Sequence, residues 1–182
     1  YVAAGVFFYS VLPVSFGPVR FWPQAIIPAI FAVVFGPWVG GLGGALGIFI
    51  NDLVLNGNPV LSLLAGVTSN FAAFFLIGYL ANKKTRWVVP VIAYGIATAI
   101  LITLAYLYVD IIFVAIAAVS YVLFLVPVVV FRNSKWRSFE MGSVIGMLVG
   151  AAIIGIMVPV YAQFFAPQAT PFTVPVAMAT FL

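Results

Sequence analysis

Cysteine and histidine are absent from this chain of 182 residues, and only three carboxylates are present. Without cysteine there is no disulfide, no thiol nucleophile and no thiolate metal site, and nothing reports on the redox compartment. Without histidine the commonest general base and metal ligand is missing. The carboxylates, Asp52, Asp110 and Glu140, are far apart in the chain. Their separation argues against a paired-acid or metal-cluster enzyme, and no cofactor or metal is expected. Charge is equally scarce, at 5% of residues against about 25% in a soluble domain. With 66% hydrophobic residues, the chain lacks the polar material to cover a water-facing surface. The composition predicts an all-α, polytopic transmembrane bundle forming one integral membrane domain over residues 1–182. Tyr1 already lies in apolar sequence and Phe181-Leu182 stop in it, so chain is expected to be missing at both ends.

What is there is organised around residues 35–52, FGPWVGGLGGALGIFIND. Gly36, Gly40 and Gly44 fall four apart on one helical stripe, and Gly43 and Gly47 on a second. Such ladders remove side chains between backbones and let helices approach closely in lipid. The run ends in Asn51-Asp52, where an amide and a carboxylate adjoin inside apolar sequence. Either Asp52 faces a cavity or partner as a functional group, or it marks a helix end at the headgroups. A second ladder, Gly142, Gly146 and Gly150, reads as a packing seam later in the chain. Inside the span at residues 60–81, Thr68-Ser69-Asn70 puts an amide near mid-membrane. There Asn70 must pin two helices or line a cavity, with pinning the preferred reading.

Apolar periodicity places spans at residues 1–12, 24–35, 38–55, 60–81, 87–109, 111–131 and 141–165, with part of an eighth at 173–182. Both of the first two are short for a ~30 Å hydrocarbon core. Six of the seven basic residues fall in residues 82–86 and 132–137, two spans apart. The positive-inside rule therefore places both loops, and the Gly36-Pro37 turn, in the cytoplasm of a multi-pass plasma-membrane protein. It explains the net charge of +4 without invoking nucleic acid. Arg20, Asn51-Asp52, Asn56 and Asn58 are then outside. Trp38, Trp87 and Trp136 belong to an inner aromatic belt, and Trp22 lies at the outer interface. Glu140 suits a helix N-terminus as a capping charge.

The outer end thus gathers Tyr9, Arg20, Trp22, Gln24, Asn51, Asp52, Asn56 and Asn58, with Ser15 beside them and aromatic walls from Phe16, Phe21 and Phe49. An apolar concavity with a few convergent polar groups is the form of a small-molecule site. Each residue taken singly is more simply explained as loop solvation, so the cluster carries the expectation. Asp52 and Arg20 are the opposite charges that parity brings together there. They would clamp each other or take the two ends of a polar or zwitterionic solute, with Trp22 over its apolar face.

The stretch FWPQAIIPAIFAVVFGPWVGGLGGALGIFINDLV followed by NGNP resembles the substrate-binding S-component of energy-coupling factor transporters, over about residues 13–81. The resemblance implies a membrane protein that captures a vitamin, vitamin precursor or metal ion from outside. Delivery would follow by tipping in the bilayer, driven by a transmembrane coupling protein and cytosolic ATPases. The metal-ion branch uses an N-terminal histidine site, which this chain lacks. Two departures stand out. The family has six spans, so residues 87–131 would be an inserted helical hairpin. Its first helix carries an Ala-x-x-x-Ala face, whereas here Ala3-Ala4-Gly5 is followed by Phe7 and Phe8. Membrane sensory domains share the Trp-Pro element seen at Trp22-Pro23, and an accessory subunit of a larger membrane complex is a third reading.

Overall fold

The computed structural model describes residues 1–11, 15–16, 19–20, 22–55, 57–81, 83, 86–108, 111–131, 133 and 137–165. Among the described residues the chain forms helices α1 (Val2–Val11), α2 (Ile26–Phe35), α3 (Pro37–Val54) and α4 (Pro59–Ala81). Helices α5 (Val88–Tyr108), α6 (Ile111–Phe131) and α7 (Arg137–Phe165) follow. The loop before α2 departs from a purely helical fold. It holds a two-residue antiparallel ladder, β1 (Ser15–Phe16) on β2 (Val19–Arg20), and then a 3-10 turn, Pro23–Ala25.

Gly36 makes the tightest reversal. Its φ of +98° is open to glycine and strained for a residue with a Cβ. Pro37 follows at the first helical position, where a missing N–H is no loss. Helix α2 therefore folds back on α3, with Ala32 opposite Gly40, where a Cβ would collide. Helix α4 lies at the centre, against α2, α3 and α7. Its Phe74 and Ile77 join Ala29 and Ala32 in the buried core, flanked by Ala25, Val33 and Phe139.

Glycines admit α4 to both neighbours. A Cβ on Gly41 would press on Phe71, and one on Gly44 would overlap the Phe74 ring. From the other side, a Cβ on Gly142 would lie 2.9 Å from the Ile77 carbonyl oxygen, and one on Gly146 2.5 Å from that of Ala73. At Gly150 it would lie 2.9 Å from Ala73 Cβ. These contacts run in opposite order along the two helices, so α7 is antiparallel to α4. Two residues of the expected ladders do not pack in this way. Gly43 is exposed with nothing within 4 Å of a Cβ position, whereas Gly47, one turn on, is buried against Tyr1. Gly36 likewise meets nothing within 4 Å, so its contribution is conformational.

Among the described residues three helices, Pro37–Val54, Pro59–Ala81 and Arg137–Phe165, are long and apolar enough to cross a membrane. Helix α7 begins four residues before the expected 141, and Phe139 in this added turn packs against the core. Helices α5 and α6 pair antiparallel with each other and rest on α7. Tyr94 of α5 meets Tyr121 and Phe124 of α6 edge-on at 5.6 and 4.9 Å. The expected eighth span, residues 173–182, and Trp136 lie outside the described residues.

Candidate functional site

The site is set by the direction of α1. Tyr1 packs on Gly47 and Gly5 on Asn51, a constant offset, so α1 runs parallel to α3 and covers only its C-terminal half. Helix α2 runs the other way. Tyr1 meets Gly47 and, one turn on, Gly5 meets Asn51 between α1 and α3, while Gln24 lies on the 3-10 turn that packs against α1.

Two amides on elements that pack against α1 are unusual. Gln24 and Asn51 are each 1% exposed, and both the oxygen and the nitrogen of each are buried without a hydrogen-bond partner among the described residues. Leaving a buried donor or acceptor unmade costs about 1–3 kcal/mol, so such groups in a native fold call for a specific explanation. Gly5 is what lets Asn51 fit. A Cβ there would stand 2.5 Å from Asn51 Oδ1 and 2.9 Å from its Cγ.

Asp52, the next residue on α3, turns toward α4. The Ser62 hydroxyl donates to Asp52 Oδ2 at 2.5 Å, and the Gly57 N–H donates to the Asp52 carbonyl at 2.6 Å. Gly66, one turn beyond Ser62, leaves room for both side chains: its Cβ position lies 3.4 Å from Asp52 Oδ2 and from Ser62 Oγ. The phenol of Tyr1 is within electrostatic reach of the carboxylate. Ser62 opens a π turn, Ser62–Val67, inside α4, and turns of this kind often mark functional sites. The wider turn loosens the normal backbone ladder, and the polar triplet that follows serves its carbonyls. Thr68 donates to the Leu64 carbonyl, Ser69 to that of Gly66 at 3.0 Å, and Asn70 to that of Gly66 at 2.8 Å.

Asn70 is thus engaged within its own helix through its N–H group. Asn58 is also committed. Its Oδ1 caps α4 by accepting from Val60 and Leu61, and its Nδ2 donates to the Tyr161 hydroxyl of α7 at 2.7 Å. Trp22 is half-buried just before the 3-10 turn, with its carbonyl accepting from Ala25 at 3.1 Å. Tyr9 is partly exposed near the far end of α1. The backbone of Arg20 pairs with Ser15; its side chain and all of Asn56 lie outside the described residues. The structure therefore keeps Asn51 and Asp52 at the end of α3, against α1 and α4 respectively, and buries Gln24 on the 3-10 turn against α1. It adds Tyr1, Gly5, Ser62 and Gly66, which the sequence reading did not single out. A small residue four before another small one, as in Ser62 and Gly66, was the available signal. Among the described residues no three His, Cys, Asp or Glu side chains gather.

Compared with family models, with curated proteins and with solved structures, the chain matches none.

Proposed function

We propose that this chain is a multi-pass membrane protein that captures a small heterocyclic, vitamin-like solute at the outer end of α3. Seven helices, α1 to α7, would lie in the plasma membrane, with residues 82–86 and 132–137 on the cytoplasmic side. The observation that carries the reading is the pair of buried, unpartnered amides, Gln24 and Asn51. A primary amide offers a donor and an acceptor side by side, which matches the N–H and C=O of a lactam, ureide or pyrimidine edge. Asp52, the next residue on α3 after Asn51, supplies one acceptor held in place by Ser62. Tyr1, against Gly47, and Trp22, just before the 3-10 turn, supply aromatic surface.

Capture alone moves nothing across a bilayer. Uptake would need a transmembrane coupling protein and cytosolic ATPases as partners, in keeping with the S-component resemblance. The test is a thermal-unfolding screen of the protein in lipid nanodiscs against neutral heterocycles with adjacent donor and acceptor edges, and against their N-methylated forms. A shift of the unfolding midpoint with the parent compounds and none with the methylated ones supports the reading. No shift with any of them, at concentrations up to millimolar, counts against it.

A further inference from the structure

A cavity of about 410 Å³ lies between α5, α6 and α7, a volume within the range of small-molecule sites. Each helix turns one side to it. Tyr94, Thr98 and Leu101 recur at helical spacing on α5, and Ser143, Met147 and Ala151 on α7, so each set shares a face. Another face of α7, with Gly142, Gly146 and Gly150, goes to α4. Helix α6 contributes Ala117, Ser120 and Phe124. Short side chains on α6 and α7 leave the space, and Tyr94 meets Phe124 edge-on at 4.9 Å to bound it.

The wall carries hydroxyls and no charge. Tyr94, Thr98, Ser120 and Ser143 line it, and no described lining residue is an acid or a base. Ser143 differs from other hydroxyls on these helices. A serine or threonine inside a helix can donate to the carbonyl three or four residues back, as Thr68, Ser69 and Thr103 do here. The Ser143 hydroxyl is instead buried with no partner among the described residues. Its donor and its lone pairs are both unspent, which is costly in apolar surroundings. The residue lines the cavity, so an occupant bearing an oxygen supplies the missing bond. The rest of the wall selects against charge, because a charged group taken from water with no opposite charge beside it is strongly disfavoured.

We infer that this cavity binds an uncharged lipophile with a single hydroxyl or carbonyl oxygen, its apolar body between α5, α6 and α7 and its oxygen bonded to Ser143. The cavity shares no residue with Gln24 or Asn51, so either reading can fail alone. Four diazirine probes of equal chain length, ending in an alcohol, a methyl group, a sulfonate or a trimethylammonium, are photolysed on the protein in nanodiscs. Crosslinked residues are read by peptide mass spectrometry. The alcohol should label Thr98 and Leu101 above the exposed Ile92 and Ile96 of the same helix, and well above either charged probe. It should exceed the methyl probe by about fivefold, the worth of one hydrogen bond. Ser143→Ala should bring the alcohol down to the methyl probe, and Ser143→Thr, which keeps a hydroxyl, should not. Ala117→Leu and Ala151→Leu, which fill the cavity from different helices, should each remove labelling of Thr98 and Leu101. A charged probe that labels as strongly as the alcohol would overturn the assignment. So would labelling confined to Ile92 and Ile96, alcohol labelling unchanged in Ser143→Ala, or labelling of Thr98 that survives both filled variants.

Discussion

The Ser62 hydroxyl donates to Asp52 Oδ2 at 2.5 Å, which ties the last turn of α3 to the opening of the π turn in α4. The bond fixes the carboxylate beside Asn51 and keeps it from the apolar wall of the bundle. Ser62→Ala should lower the stability of the protein in nanodiscs or detergent by about 1 kcal/mol, the scale of a hydrogen bond between membrane helices. Asp52→Asn, which keeps an oxygen to accept from Ser62, should lower it less. Reversible unfolding in sodium dodecyl sulfate measures both. Equal stability of Ser62→Ala and parent would show that the bond holds nothing.

The ladder glycines divide into those that seat a neighbour and two, Gly36 and Gly43, that do not. Gly146→Leu and Gly40→Leu insert a side chain where a Cβ already meets backbone or Ala32, so each should destabilise by at least the 1–3 kcal/mol typical of overpacking. Gly43→Leu points into open space and should leave the unfolding midpoint within a degree or two of the parent. A fall with Gly43→Leu as large as with Gly40→Leu would place that face against a helix.

Asn58 serves two helices at once, through its cap on α4 and its bond to Tyr161. Asn58→Ala should remove both, costing about 1 kcal/mol for the cap and more for the tie to α7. Tyr161→Phe should remove only the tie and so fall between parent and Asn58→Ala. The order of the three unfolding midpoints is the check. An unaffected Asn58→Ala would contradict it.

The proposed topology rests on the placement of the basic residues. Because the chain has no cysteine, single replacements report cleanly. Asn58→Cys should react with an impermeant thiol reagent on intact cells, and Lys84→Cys should react only after the membrane is opened. Labelling of Lys84→Cys in intact cells would reverse the orientation.

Helix positions were readable from apolar runs and punctuation because the controlling signals are local. Gly36-Pro37 stops one helix and starts the next, and Asn58-Pro59 caps another. Gly40, Gly44, Gly142 and Gly146 were readable as seams for the same reason, four-residue spacing on one face. Gly43 was not, since spacing says which residues share a face and not which face meets a neighbour. The candidate site was legible only in its α3 part. Asn51 and Asp52 stand out as polar residues in apolar sequence, but their partners depend on tertiary register. That α1 runs parallel to α3 puts Gly5 on Asn51, and that α4 runs antiparallel puts Ser62 on Asp52. Neither offset is written in either segment alone. The π turn was hidden too, although Thr68, Ser69 and Asn70, the residues that serve its carbonyls, were visible as an unexplained polar triplet.

The central claim is that Gln24 and Asn51 are binding groups. It is tested most directly by thermal unfolding of Asn51→Leu and Gln24→Leu in nanodiscs, with and without a heterocycle that stabilises the parent. Replacing an unpartnered buried amide by an apolar side chain of similar size removes a desolvation penalty. The account therefore predicts that each variant without ligand is as stable as the parent or more so, and that the ligand-induced shift is lost. Lower stability of both variants, with the ligand shift retained in full, would contradict it and make the amides packing groups.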